Sequence, residues 1–275
     1  MLPTTAVTIR AGRPSDRRAV RELCARIWDD DYVGLVFPEW VHDRRGRFWV
    51  ALVDGRVAGV AKLTLTGDRE AWLHALRVDP RERRKGVATA LLEHRLARAR
   101  KLGVRVARLD TSDDNTAVRR LMRRYRFDRV ARVTLYSARA RAVPPPRRAT
   151  REDVAGLWRL IRDGELLHET YTRRRVTRAD IADAVRRGRC VAVDSVDGPQ
   201  AVAIVMAHEG SLRVTYLGGA GRALGRLLRA LPGEARLRGL EDVRVSLPAR
   251  WWPIAERAGY RRRWRDAMLI FEKEL

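Results

Sequence analysis

Ala71-Trp72-Leu73-His74-Ala75-Leu76-Arg77-Val78-Asp79-Pro80, then Arg83-Arg84-Lys85-Gly86-Val87-Ala88, reads as a strand that turns directly into a helix. Apolar residues dominate residues 71–78. Beyond the turn, Ala88, Leu91, Leu92, Leu96 and Ala99 recur at helical spacing and predict a long helix with one buried stripe. The first N–H groups of such a helix lack intrahelical acceptors and lie at the positive end of its dipole. Gly86 at the turn lets an anion approach the backbone, and Arg83, Arg84 and Lys85 add charge. A pyrophosphate is the natural guest of this turn.

Outward from this run the chain has a regular order. Pro14-Ser15-Asp16 is a helix-start signal, with Val20, Leu23, Cys24 and Ile27 as one apolar stripe. Phe48 to Val53, Asp54-Gly55 and Val57 to Leu65 predict a hairpin. After the long helix come a strand from Val104 to Leu109, a helix to about Arg124 and a strand from Val130 to Tyr136. The same order returns after Val143-Pro144-Pro145-Pro146-Arg147-Arg148, a stiff extended connector. Thr150 with Asp153 resembles a capping box, and Val154, Leu157 and Ile161 form its stripe. Cys190 to Val196, Asp197-Gly198 and Ala201 to Ala207 make a second hairpin, and Leu212 to Tyr216 leads through glycines into Leu224, Leu227 and Leu228. Val243 to Leu247, a helix to Ala258 and Ala267 to Phe271 close the second half. The chain therefore reads as a tandem repeat of one α/β domain, with boundaries at 1–142, 143–148 and 149–275.

Composition narrows the function classes. Of 275 residues, 45% are hydrophobic and 33% charged, enough apolar material for packed cores and too much for global disorder. The longest apolar run, Ala201 to Ala207, is far short of a membrane span, and no secretory signal opens the chain. Two distant cysteines, Cys24 and Cys190, make neither a disulfide framework nor a zinc spacing. A cytoplasmic protein without metal is expected, as a monomer or homodimer. The net charge of +24 favours anionic partners, nucleic acid among them. Arginine spread over solvated faces accounts for the same charge with no partner at all, and that reading is preferred over nucleic acid.

Val78-x-Pro80-x-x-Arg83-x-x-Gly86-x-Ala88, followed by Leu91-Leu92, resembles motif A of the GNAT superfamily of acyl-CoA-dependent N-acyltransferases. Asn115, followed by Val118, Leu121 and Phe127, resembles the family's next helix, and the likeness covers nearly all of residues 7–140. The resemblance implies two tandem GNAT-like α/β (α+β) domains, each a mixed, mostly antiparallel twisted sheet flanked by helices. It further implies transfer of an acetyl or other acyl group from acetyl-CoA to a primary amine of a small molecule or protein, by direct attack in a ternary complex. The backbone of Leu76, Arg77 and Val78 would pair with the pantetheine arm and offer an N–H to the thioester oxygen. Arg83, Arg84, Lys85, Gly86, Val87 and Ala88 would hold the pyrophosphate, and Asn115 would contact pantetheine or adenosine. Arg119 and Arg123 either reach the 3′-phosphate or form a solvated helix face.

Three family positions depart from the pattern, one being Arg126-Phe127 where relatives have Gly-Phe. Where many relatives carry a Glu on the strand, this chain has His74, either a general base or a packing histidine. On strand periodicity His74, Leu76 and Val78 share one face. The position of the usual general-acid Tyr is Met122; Tyr125, one turn on, is the remaining candidate acid. For the acceptor, Trp28-Asp29-Asp30-Asp31-Tyr32 places carboxylates beside aromatic rings, which suits a cationic amine. The same run also reads as the solvated end of the first helix, though three acids there oppose its dipole.

The second half reads as a degenerate copy. Taking Val78 with Val214, Gly219 stands for Arg83, Arg222 for Gly86, Leu224 for Ala88 and Gly210 for His74, and in the last strand–helix–strand unit Pro248 stands for Asn115. Trp251-Trp252 with Arg250 and Arg261 to Arg263 fit either an apolar core or stacking on nucleobases. The competing function class is therefore a non-catalytic GNAT scaffold that binds RNA or an acidic partner through its arginines.

Overall fold

A computed structural model describes residues 6–161, 165–196, 198–219 and 221–275. Asp197 of the second hairpin turn and Ala220 of the glycine-rich stretch lie outside these described residues. The first repeat runs β1 (Thr8–Ala11), α1 (Arg17–Ala25), α2 (Tyr32–Trp40), β2 (Gly46–Val53), β3 (Arg56–Gly67), β4 (Glu70–Val78), α3 (Val87–Lys101), β5 (Val106–Ser112), α4 (Thr116–Arg124) and β6 (Asp128–Arg139). The second runs β7 (Arg147–Arg148), α5 (Val154–Arg159), β8 (Leu166–His168), β9 (Arg173–Arg175), α6 (Arg178–Arg186), β10 (Cys190–Ser195), β11 (Gly198–His208), β12 (Ser211–Gly219), α7 (Gly221–Leu237), β13 (Asp242–Pro248), α8 (Trp252–Arg257), β14 (Arg261–Arg262) and β15 (Met268–Glu274).

Two compact units form. One holds the chain to Asp110, Thr116–Asp128 and Phe271–Leu275; the other holds Thr111–Asn115 and Arg129–Ile270. The boundaries expected from repeat order follow the chain, whereas the units follow packing. Nearly all of β6 belongs to unit 2, and the last five residues belong to unit 1.

In unit 1 the strand order is β1-β2-β3-β4-β5, antiparallel except for the parallel β4–β5 step. The chain's last residues run beside β5, where the Leu275 N–H donates to the Arg105 carbonyl at 2.9 Å. The expected hairpin forms, with Asp54 and Gly55 both at positive φ between Val53 and Arg56. Helix α1 buries Val20, Leu23 and Cys24 as its periodicity predicts. The acidic run does not end that helix. Asp31 opens α2, which the sequence reading missed, and its carboxylate accepts the Val33 N–H at 3.1 Å. The expected conflict with a helix dipole is thus reversed, because an acid at a helix N-terminus is favourable.

A β-bulge in β4 corrects a second expectation. Lys62 pairs with His74 and Val60 with Arg77, so Ala75 and Leu76 together oppose Ala61, and Ala75 takes φ 57°. One extra residue reverses the alternation downstream. His74 therefore shares a face with Arg77 rather than with Leu76 and Val78. That face packs on α1 and α2, where Val60 and Ala75 join Val20, Leu23, Phe37 and Trp40 in one core. The opposite face carries α3.

In unit 2 the order is β6-β13-β12-β11-β10-β7, with β12–β13 the parallel step and β14 added to β6. The capping box at Thr150 and Asp153 is present. Strand pairing overturns the expected register between the halves. Glu70 and Ser211 are each the first residue to pair in parallel with the next strand, so Ser211 answers to Glu70. On that match Thr215, not Gly210, takes the place of His74, and Gly219 takes the place of Val78. β12 continues as strand to Gly219, paired with Ala201.

Candidate active site

β5 pairs with β4 only at Glu70, Ala71 and Trp72. From there β4 runs on to Val78 with no strand on its β5 side, so six residues of backbone edge are left open among the described residues. Arg108 stands where the two strands part. Its guanidinium is fully buried and donates to Glu70 at 2.7 Å and to Glu272 at 2.5 Å. These two carboxylates hold the parting point of the strands and the end of the chain together.

Past Val78 the backbone is pinned before it reaches α3. The Asp79 N–H donates to the Ala58 carbonyl at 2.9 Å, and the Asp79 carboxylate accepts the Arg81 N–H at 3.0 Å and the Arg26 guanidinium at 2.7 Å. Arg84 and Gly86 both adopt positive φ, 66° and 80°. Gly86 is the N-cap of α3, no side chain caps the helix there, and a Cβ on Gly86 would meet nothing within 4 Å. Val87 is buried and anchors the helix start, because Gly59 on β3 leaves room for it; a Cβ at Gly59 would lie 2.7 Å from the Val87 side chain and 2.9 Å from the Arg77 carbonyl. Arg83 and Arg84 are exposed, Ala88 is half-buried, and Lys85 pairs with Glu82 at 2.8 Å. The result is a turn of amides at a helix N-terminus, open to solvent and flanked by cations, beside an open strand edge. Such a shape accepts a diphosphate and an amide-bearing chain that leads from it.

On the other face of β4, Arg77 donates to Asp31 at 2.6 and 3.1 Å and lies 4.6 Å from the centre of the Trp28 ring. Tyr32 stands 5.8 Å from the same guanidinium. Asp31 is thereby consumed inside the fold, while Asp29 and Asp30 stay exposed and Trp28 is 50% exposed. His74 is 8% exposed beneath Trp40, with ring centres 4.6 Å apart. Its Nε2 meets the Thr64 hydroxyl at 2.8 Å and its Nδ1 is buried without a partner. Burial, with Lys62, Arg95 and Arg77 nearby, holds the His74 imidazole well below its ordinary range, so it is neutral at pH 7.

Arg95, on α3, falls by spacing on the stripe of Leu91, Leu92, Leu96 and Ala99, and was missed because a charged residue there does not read as core. It is fully buried and donates to the carbonyls of Leu91, Lys62 and His74 at 3.3–3.4 Å. Burial alone pulls its guanidinium down to about 9. Gly59 did carry a signal, since an isolated glycine inside a strand marks a close backbone approach. Tyr125 is not gathered into this group. Its hydroxyl is bonded to Glu93, in a cleft shared with Leu96, Arg100 and Lys273, about 10 Å along α3 from Gly86 by helical rise. Met122 faces the core. Asn115 packs with unit 2, its N–H donating to the Ser112 carbonyl at 3.1 Å. In unit 2 β12 runs to Gly219 and α7 begins at Gly221, whereas eight residues separate β4 from α3, so no turn of that length occurs there among the described residues.

No group of three or more metal-ligating side chains occurs among the described residues, and no described helix is long and apolar enough to cross a membrane. Residues 17–127 match the model of the Acetyltransferase (GNAT) family. A GCN5-related N-acetyltransferase from Sphaerobacter thermophilus superposes with a TM-score of 0.66 at 17% identity, over 98% of this chain and 95% of that one. A tandem GNAT protein from the clavulanic acid biosynthesis pathway superposes with a TM-score of 0.57 at 15% identity, over 98% of each chain. These likenesses concern the fold. No curated protein matches the chain in sequence.

Proposed function

We propose that unit 1, which holds most of the residues 17–127 that match the acetyltransferase (GNAT) family model, transfers an acetyl group from acetyl-CoA to a primary amine by direct attack in a ternary complex. The observation that carries this reading is the open, uncapped α3 N-terminus at Gly86 beside the unpaired edge of β4. Acetyl-CoA, when bound, supplies the activated acyl group as a thioester. Backbone amides of Gly86, Val87 and Ala88, with the guanidiniums of Arg83 and Arg84 and the Lys85 ammonium, hold its diphosphate. Leu76 to Val78 pair with the pantetheine arm, and an amide next to the Ala75 bulge donates to the thioester oxygen as charge develops there. Asp29 and Asp30 with the Trp28 and Tyr32 rings draw in a cationic acceptor.

His74 acts here as a positioning group. A walled-in imidazole with a depressed pKa is a weak proton acceptor, so the amine attacks as its free base. Tyr125 carries no part, since Glu93 holds its hydroxyl. The test is thiol release from acetyl-CoA by the intact chain, offered small primary amines and peptide N-termini in turn. Amine-dependent release supports the reading. Tight acetyl-CoA binding with no release from any amine would instead favour a binding scaffold.

A further inference from the structure

Unit 2 carries an arginine-rich surface with an exposed aromatic ring that acyl transfer does not use. Arg261, Arg262, Arg263, Trp264, Arg265 and Asp266 are six consecutive exposed residues, and Trp264 is 42% exposed. Their backbone is held, because Arg261 and Arg262 pair with β6 and the Arg263 N–H donates to the Leu135 carbonyl at 2.8 Å. Trp252 anchors the neighbourhood. Its Nε1–H donates to the Leu247 carbonyl at 2.9 Å, and Arg132 and Arg262 stand 5.1 and 5.0 Å from its ring. Arg250 lies 4.6 Å from the Trp251 ring on the same short helical stretch.

The charge of this surface is only partly balanced. Asp113 takes Arg132 at 2.6 Å and Glu165 takes Arg250 at 3.4 Å. Arg261, Arg263 and Arg265 reach solvent in a run whose one acid is Asp266. A large ring left exposed within a run of arginines adds nothing to a core, and such a ring can stack a base while the neighbouring cations take phosphates. A duplex buries the faces of its bases, so a single strand is the form that fits.

We propose that this surface of unit 2 binds single-stranded RNA, with Trp264 stacking on a base and Arg261, Arg263 and Arg265 contacting the phosphate backbone. The test is fluorescence anisotropy of a labelled oligouridylate of about 12 nucleotides, within the span such a surface covers, at several salt concentrations. Trp264→Ala is expected to weaken binding about tenfold, and Trp264→Tyr to restore most of it. Removing one phosphate contact, by Arg263→Ala or Arg265→Ala, is expected to lower the log–log salt slope by about 0.7. Melting curves matching those of the unaltered chain show that each variant is folded. No measurable RNA binding, affinity indifferent to Trp264, or equal Trp264-dependent binding of polyglutamate overturns the proposal. No acetyl-CoA is needed, so the outcome is independent of whether unit 1 proves to be an acetyltransferase.

Discussion

The Arg77 guanidinium sits on the Asp31 carboxylate in a two-point ion pair, 2.6 and 3.1 Å, with 1% of the Asp31 side chain exposed. Arg77 is on β4 and Asp31 opens α2, so the pair fastens the segment that carries Trp28, Asp29 and Asp30 to the strand whose edge is left unpaired beyond Trp72. The β4 bulge makes this geometry available, because without it Arg77 would point toward α3.

Asp31→Asn should therefore loosen the acceptor side more than the cofactor side. Leaving a mostly buried arginine without its carboxylate costs about 3 kcal/mol. The amine KM is expected to rise several-fold with acetyl-CoA affinity unchanged, and steady-state kinetics beside calorimetry separate the two. An unaltered amine KM would detach this pair from acceptor binding.

Gly59→Ala tests the seating of the cradle. The new Cβ would press on the Arg77 carbonyl and on Val87, so α3 must shift at its first residue. Overpacking of this kind costs about 1–3 kcal/mol, and acetyl-CoA binding is expected to weaken at least tenfold. Gly55→Ala, in the hairpin turn with open space around it, serves as the control and should cost only stability. Equal acetyl-CoA affinity in both variants would show that the helix start is not what the glycine protects.

Much of this framework was legible in the sequence. Asp54-Gly55 announced its hairpin, Val20, Leu23 and Cys24 announced α1, and Arg83 to Ala88 announced the turn before α3. Three features were not. Helix α2 is apolar nearly all round and contains Gly34 and Pro38, so it shows no helical stripe. The bulge rests on an alanine at positive φ, which no residue type signals. The exchange of terminal strands between the repeats leaves each strand's own alternation unchanged, so periodicity cannot distinguish it. The mismatch between halves has a related cause, since equal spacing between apolar landmarks matched Val78, at the end of β4, with Val214, in the middle of β12.

His74 links acidity to stability. Its pKa is depressed in the folded chain, so the unfolded chain binds the proton more readily. The neutral ring's contribution is intact above the ordinary histidine range, near 6.5, and is lost as pH falls below it. Melting temperature is expected to drop between about pH 6.5 and 5, above the range where the carboxylates titrate. His74→Gln should remove part of that drop, the buried His168 supplying the rest, while leaving the pH dependence of acyl transfer in place. A rate profile that flattens with His74→Gln would instead make His74 the base.

Arg108→Met tests the strand junction. It leaves Glu70 and Glu272 facing each other at low exposure, and breaking such a buried group costs about 3–5 kcal/mol. Denaturant unfolding measures the loss. Adding Glu70→Gln and Glu272→Gln should recover part of it; no recovery would mean that the arginine's packing, not its charge, holds the end of the chain.

The most direct measurement is a calorimetric titration of acetyl-CoA into the unaltered chain, Gly86→Glu and Arg222→Glu. A single site is expected in the unaltered chain. Gly86→Glu should abolish it, because the new carboxylate projects into the space the diphosphate needs, and Arg222→Glu at the start of α7 should leave it unchanged. Normal binding by Gly86→Glu, or its loss in Arg222→Glu, would place the cofactor elsewhere and contradict the assignment of unit 1 as the transferase.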